Sequence, residues 1–272
     1  ERLASGQKVN RAADDPAALV ISEHMRAEIS GMEQAIRNNE VAISLVQTAE
    51  GSMNEISALL VSIRQRAISA ANVGASDDAM TQANQSEIEN ALSSVDRIVS
   101  STQFGQYKLL DGTNARKTLE DGTTREGLRF HVGPDAGHTA AVSIRNMTSS
   151  QLGRVAEGEL PNASNFMSLA DIDVSTEQGS QDALRIIDQA ITEVATVRGE
   201  LGAFQANTLE SNLTSLQVAA ENMTSAESTL RDTDMAQELA TFTRNQIMSQ
   251  SATAQLAQAN ALPQNVLRLL NA

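Results

Sequence analysis

The feature that most constrains this chain is the spacing of apolar residues between Asp182 and about Arg231. Ile187, Ile191, Val194, Val197, Leu201 and Phe204 fall three or four apart, and so do Leu209, Leu213, Leu216, Ala220, Met223, Ala226 and Leu230. That spacing puts them on one stripe of a helix. The step from Phe204 to Leu209 is five, so the stripe slips phase there. A periodic run of this length exceeds an ordinary globular helix. At ~1.5 Å per residue it makes a rod of roughly 75 Å. One stripe on such a rod needs a partner helix.

A second such stripe lies near the other end of the chain. Asp14-Asp15-Pro16 reads as a helix start, with acidic residues before a proline at an early helical position. The helix is expected to run to about Val73. Its stripe is Met25, Ile29, Met32, Ile36, Asn39, Ile43, Val46, Ala49, Met53, Ile56, Leu60, Ile63, Ala67 and Ala70, with Asn39 the one polar member. Two adjacent steps of three at Ile43–Val46–Ala49 predict a local phase shift of the seam. A third helix is expected over 77–101, with Ile88, Leu92, Val95 and Ile98 or Val99 inward. The short connection at 74–76 implies antiparallel packing.

Between these helices the chain changes character. Six glycines punctuate residues 104–140: Gly105, Gly112, Gly122, Gly127, Gly133 and Gly137. Leu128–Val132 and Ala140–Arg145 are short alternating runs around Gly133-Pro-Asp-Ala-Gly137, which predicts a β-hairpin. Residues 149–180 read as a polar, irregular variable segment with a short helix near Met167–Asp171. Residues 1–13 read as a linker or the remnant of a larger segment. The fold class is therefore mainly α, an antiparallel coiled-coil rod interrupted by a small β region at 104–148.

The stretch 233–272 is of another kind. Only Asp234, Glu238, Arg244 and Arg268 are charged. Met235, Leu239, Phe242 and Ile247 form one apolar patch. Leu256, Ala259, Leu262, Val266, Leu267, Leu269 and Leu270 form another. A nearly uncharged helix with small residues around it suits burial on several sides. Its own chain offers too few partners, so neighbouring copies are expected to supply them. Pro263 should bend it or mark a weak point.

Composition agrees with packed helices. Aromatics are 2% of the chain, with no Trp, five Phe and one Tyr. Helices meeting through aliphatic residues need few. A net charge of -14 with no basic patch argues against nucleic-acid binding. The absence of Cys excludes disulfides, thiolate metal sites and Cys nucleophiles. No apolar run approaches the ~18 residues of a membrane span. The chain opens on Glu1 rather than Met, from which removal of an N-terminal piece is expected.

Candidate chemistry is thin. His131 and His138 flank the hairpin turn and could face each other, but no third metal ligand is evident, so ordinary exposed histidines are the better reading. Asp14 and Asp15 read as helix-start residues rather than an acid/base pair. The Asn-x-Ser/Thr triplets at Asn84, Asn146, Asn162, Asn212 and Asn222 are read as chance in a chain rich in these residues. No phosphate-loop spacing and no convergent catalytic set is found. No enzyme activity, cofactor or metal is expected.

Several motifs together resemble the bacterial flagellins. Arg2-Leu-Ala-Ser-Gly6, Val9-Asn10 and Ala13-Asp-Asp-Pro-Ala17 are similar to their N-terminal region. Gln47-Thr-Ala-Glu-Gly51, Asp96-Arg97 and Thr102-Gln-Phe104 continue the match. Phe130–Gly137 with Val142-Ser-Ile144 is similar to their hairpin. Leu256-Ala-Gln-Ala-Asn260 and Leu262-Pro-Gln-Asn-Val-Leu267 are similar to their C-terminal signature.

The resemblance implies a secreted, extracellular structural subunit of the flagellar filament, a helical homopolymer used for motility. It implies export chaperone, cap and junction proteins as partners. Residues 14–232 would be the rod-like domain, and 233–272 the polymerisation helix of the inner tube, through Met235, Leu239, Phe242, Ile247, Leu256, Leu262, Val266, Leu267 and Leu270. The inner-tube partner helix would precede Glu1. The usual Phe-Asn-Gly of the family is Phe104-Gly-Gln106 here, a departure at a turn. Flagellins that activate the animal Toll-like receptor carry Arg where this chain has Ser62 and Leu where it has Arg66, while the matching Glu is present at Glu87. Weak or absent receptor signalling follows. Two rivals stand beside this reading: a hook–filament junction protein of the same superfamily, and a coiled-coil surface adhesin with residues 104–179 as its head.

Overall fold

The computed structural model describes residues 1–72, 77–115, 127–154 and 163–270, with backbone alone at 117–118, 124–125 and 261–270. The helices are the short α1 (Arg2–Ser5) and the longer α2 (Pro16–Ala70), α3 (Asp78–Ser101), α4 (Glu177–Phe204), α5 (Ser211–Arg231) and α6 (Met235–Leu270). Among the described residues, strand structure is confined to short antiparallel pairs. These are β1 (Gln103–Phe104) with β2 (Tyr107–Lys108), β3 (Lys117–Thr118) with β4 (Thr124–Arg125), and β5 (Leu128–His131) with β6 (Thr139–Val142). The chain forms two compact units. One is Gly31–Val218; the other joins Glu1–Ser30 to Ala219–Ala272.

The core of the Gly31–Val218 unit is the seam between α2 and its partners. From Met32 the seam positions of α2 are Ala35, Asn39, Ala42, Val46, Ala49, Met53, Ile56, Leu60, Ile63, Ala67 and Ala70, with Leu45 buried on the flank beside Val46. The steps alternate three and four without a break, the heptad pattern of a coiled coil. The phase shift expected at Ile43–Val46–Ala49 is therefore not present. Ala35 and Ala42 face inward, while Ile36 and Ile43 sit half-buried on the flank. Small side chains let helices approach closely, so the bulkier neighbours mark the edge of the seam and not its centre.

The partner side carries the slip that the sequence shows. Leu201 and Leu209 are both fully buried, yet they are eight residues apart. Two α-helical turns use about seven. The extra residue is absorbed by a π-helical segment, Gln205–Glu210, where i→i+5 bonding takes in one more residue per turn. Gln205 Nε2 donates to Glu210 Oε1 across that wide turn at 2.8 Å. The helix expected over 182–231 thus begins earlier, at Glu177, and is α4 and α5 joined by a π turn.

Cross-links set the direction of packing. Arg64 pairs with Asp188 at 2.6 Å, and Glu50 lies 3.9 Å from Arg198. Moving toward the N terminus of α2 goes with moving toward the C terminus of α4, so the two are antiparallel. Arg66 of α2 reaches Glu87 of α3 at 2.7 Å. Asp77 caps α3 by accepting from the Met80 N–H at 2.7 Å.

Residues 149–180 do more than the polar reading expected. Leu152, Phe166, Leu169, Ile172 and Val174 belong to the same core, with a 3-10 turn at Leu169–Asp171. Gly153 makes the close approach to α4: its φ is 63°, and a Cβ there would lie 2.6 Å from the Ile186 carbonyl oxygen. Residues 155–162, including Asn162, lie outside the described residues.

In the other unit, Asp15 caps α2, its Oδ1 accepting from Ala17 and Ala18 N–H at 3.1 and 3.0 Å. Asp14 accepts the N–H groups of Asn10 and Arg11, and those bonds hold its carboxyl below the ordinary range. The segment expected to be a linker is bonded in place. Gln7 bridges Asp232, Lys8 N–H donates to Arg231 O at 2.7 Å, and Thr233 N–H donates to Gly6 O at 3.0 Å. Glu23 accepts from Arg231 at 2.8 Å.

The π turn gives a sharp test. Deleting Ala206 should restore a regular α-helix with Leu209 still in the seam, and leave the melting temperature near that of the parent. Deleting Ala195 in α4 should rotate the following seam residues by ~100°. That should lower the melting temperature more than the Ala206 deletion does, since Val197 and Leu201 leave the core. Thermal circular dichroism checks both.

Candidate assembly surfaces

The residues singled out for packing fall inside or along the seam. Met53, Ile56, Leu60, Ile63, Ile187, Val194 and Leu201 are fully buried; Met32 and Leu216 are nearly so. Ile43 and Ile191 are partly buried against the core. Ile36 and Leu213 are half-buried, as are Met25, Ile29 and Leu230 of the other unit. The seam is thus closed within the chain and offers little to another molecule.

The tail is the opposite. Asp234 caps α6 through the N–H groups of Ala236 and Gln237. Beyond that cap Met235, Leu239, Phe242, Ile247, Met248 and Leu256 are 44–63% exposed. The side chains of Leu262, Val266, Leu267 and Leu270 lie outside the described residues, while the helix itself runs on through Pro263 to Leu270. α6 thus carries large apolar side chains in water and almost no charge.

The hairpin is placed by polar bonds. Asn38 Nδ2 donates to the His131 carbonyl at 3.1 Å, and Asn39 Nδ2 donates to Val132 at 3.2 Å and to Ala35 at 2.8 Å. Asn212 Nδ2, from α5, donates to the same Val132 carbonyl. Carboxamides from two helices therefore hold the strand end. Asn39, read from sequence as a polar member of the stripe, is this anchor. His131 pairs across the hairpin with Thr139, not with His138. His138 instead lies over Gly133, where a Cβ would come within 2.5 Å of its Nδ1. Among the described residues no group of three or more His, Cys, Asp or Glu is placed to hold a metal ion.

At Phe104-Gly-Gln106 the departure from the flagellin pattern still makes a tight turn. Phe104 pairs with Tyr107, and Gly105 takes φ 62°, supplying the left-handed residue that a two-residue hairpin requires.

Two carboxylates that sequence reasoning passed over fasten residues 149–180. Asp96 accepts from Ser149 N–H at 2.8 Å and Ser149 Oγ at 2.7 Å. Asp182, 1% exposed, accepts from Ser164 N–H and Oγ at 3.0 and 2.8 Å. Burial alone would raise the Asp182 pKa, but the bonds from Ser164 and Gln178 outweigh it and hold the carboxyl below the usual range. The only sequence signal is an acid just inside an apolar helix face. Of the Asn-x-Ser/Thr triplets, Asn84 is buried and Asn212 is committed to the hairpin.

Because its folded pKa is depressed, Asp182 adds stability above its unfolded pKa and loses it as pH falls through the folded value. Asp182→Asn should lower the melting temperature at neutral pH and reduce the fall in stability on acidification. Melting curves between pH 7 and pH 3 read both effects.

Residues 1–115 match the family model for the bacterial flagellin N-terminal helical region, and residues 184–270 the model for the C-terminal helical region. The chain is 41% identical to the flagellin of Bacillus subtilis, across 99% of this chain and 91% of that one. It is 38% identical to the flagellar filament 30.7 kDa core protein of Treponema maltophilum, across 100% of this chain and 90% of that one. A solved structure assigned as a flagellar hook-associated protein of Vibrio parahaemolyticus superposes with a TM-score of 0.64. It covers 80% of this chain and 100% of that one at 17% identity, which is likeness of fold alone. With both terminal family models matched and relatives aligned along nearly their whole length, the chain belongs to the bacterial flagellin family.

Proposed function

We propose that this chain is a structural subunit that self-assembles into the flagellar filament, outside the cell, and that it carries no enzymatic activity. The observation that carries the reading is the contrast between the two long packing surfaces. The α2 seam is satisfied within the chain, while α6 leaves Leu239, Phe242, Ile247 and Leu256 in water. In this reading residues 14–232 form the helical body and 233–272 the polymerisation helix, buried by α6 helices of neighbouring copies. Export chaperone, cap and junction proteins are its further partners. The filament-protein relatives near 40% identity favour a filament subunit over a junction protein, whose likeness is of fold only.

The decisive experiment seeds the protein onto short filament fragments and follows growth by electron microscopy. Elongation by the parent chain, and its loss when residues 233–272 are removed, is the expected result. A parent chain that stays monomeric or binds only at filament ends would move the assignment to the junction or adhesin reading.

The same proposal includes weak signalling through the animal flagellin receptor. Arg66 pairs with Glu87 at 2.7 Å, so the carboxylate that the family motif presents is already engaged, and Ser62 is exposed on the same helix. Ser62→Arg with Arg66→Leu should raise activation in a reporter-cell assay by about tenfold, the equivalent of ~1.4 kcal/mol. Strong activation by the parent chain would overturn this part of the reading.

A further inference from the structure

α5 ends at Arg231 and α6 begins at Met235, so the break at 232–234 carries α6 as a lever. α6 has 36 residues and runs roughly 54 Å. A swing of about 10° at the break would move its far end by roughly 9 Å. Helix ends leave backbone groups without an intrahelical partner. Here residues 6–8 supply partners on both sides of the break. Thr233 N–H donates to Gly6 O at 3.0 Å, and Lys8 N–H donates to Arg231 O at 2.7 Å, one bond on each side of the Gln7–Asp232 bridge.

The segment that makes these bonds is itself fastened. Gly6 ends α1 with φ 72°, the left-handed residue from which Gln7 crosses to Asp232. Val9 is 4% exposed. Glu1 pairs with Arg11 at 2.6 Å and accepts from Asn10 Nδ2 at 3.2 Å, and Asp14 takes the N–H groups of Asn10 and Arg11. From the helix side Arg231, its side chain 13% exposed, reaches Glu23 of α2 at 2.8 Å. Residues 1–14, the early part of α2 and the end of α5 thus meet at the root of α6, within one compact unit.

We propose that residues 1–14 are a strap that fixes the direction of α6 in the single chain and stays closed while α6 is engaged, with Arg231 as its positioning residue. The two backbone bonds hold the strap in register with the break, and the Glu23–Arg231 tie sets that pair against α2. A helix aimed in advance loses less orientational freedom on binding. The strap is a property of one chain, and the filament reading enters only through the elongation measured below.

The chain has no Cys, so introduced thiols meet no native competitor. Nitroxide labels on Glu28→Cys and Ala240→Cys, both exposed, should give one narrow distance by pulsed electron paramagnetic resonance. Arg231→Ala should broaden that distance at least about twofold, since a charge-assisted tie is lost, with helical circular dichroism unchanged. A broad distance in the parent overturns the strap, and a narrow one in Arg231→Ala overturns the role of Arg231. Gln7→Cys with Asp232→Cys places two thiols at a pairing whose Cα atoms lie about 4.5 Å apart, within disulfide range. Oxidised with diamide, this protein should elongate filament seeds as fast as when reduced. Elongation by the reduced form alone would show that the strap must open, and the proposal falls while the filament reading stands. If the parent chain does not elongate seeds, the filament reading falls and the label distances alone decide the strap.

Discussion

Everything in the Gly31–Val218 unit depends on the seam between α2 and the helix pair α4–α5. α2 supplies an unbroken three-and-four pattern from Met32 to Ala70, and its partner supplies the complementary stripe with one residue too many. Only an i→i+5 turn lets Leu201 and Leu209 both reach the core. The alternative, a straight α-helix, would turn Thr208 toward the seam in place of Leu209. Leu209 buries more apolar surface in the seam than Thr208 would. The irregular element is thus imposed by the apolar pattern.

On that seam the smaller parts are hung by directed polar bonds. The hairpin buries Leu128 and Val142 in the core, and carboxamides of α2 and α5 on the His131 and Val132 carbonyls fix its turn end. The returning segment at 149–180 is fixed by Asp96 and Asp182, each taking two hydrogen bonds from one serine. Charge-assisted bonds of this kind are about twice as strong as neutral ones. Apolar packing gives the unit its stability, and these bonds give it one arrangement.

That division explains what could be read from the sequence. The helices and the hairpin were legible because periodicity of three and four, or of two, reports directly on which face is buried. The slip of phase that the π turn absorbs was visible as the five-residue step from Phe204 to Leu209, although its π form was not. The α2 seam was misread at Ile36 and Ile43 because size was taken as the mark of burial, whereas Ala35 and Ala42 sit at the closest approach. The core role of Leu152, Leu169 and Val174 was hidden, since isolated apolar residues in a polar stretch carry no period. Asp96 and Asp182 were invisible for the same reason: their partners lie 53 and 18 residues away.

α6 differs from α2 in charge and in where its apolar residues lie. α2 is long and narrow-striped, and closes its stripe within the chain. α6 is long and nearly uncharged, and its apolar residues stand in solvent. Beyond its start beside α1, α6 leaves its large apolar residues exposed, and a helix with so few tertiary contacts is marginal in water, since nucleation is costly. Such a helix gains its stability from whatever binds the folded form, in proportion to the concentration of that partner. If copies of the chain are the partner, folding of the tail and growth of the polymer are one equilibrium. The satisfied seam then serves as the fixed body on which that equilibrium acts, and a subunit can remain soluble alone while committing fully once a growing end supplies its neighbours.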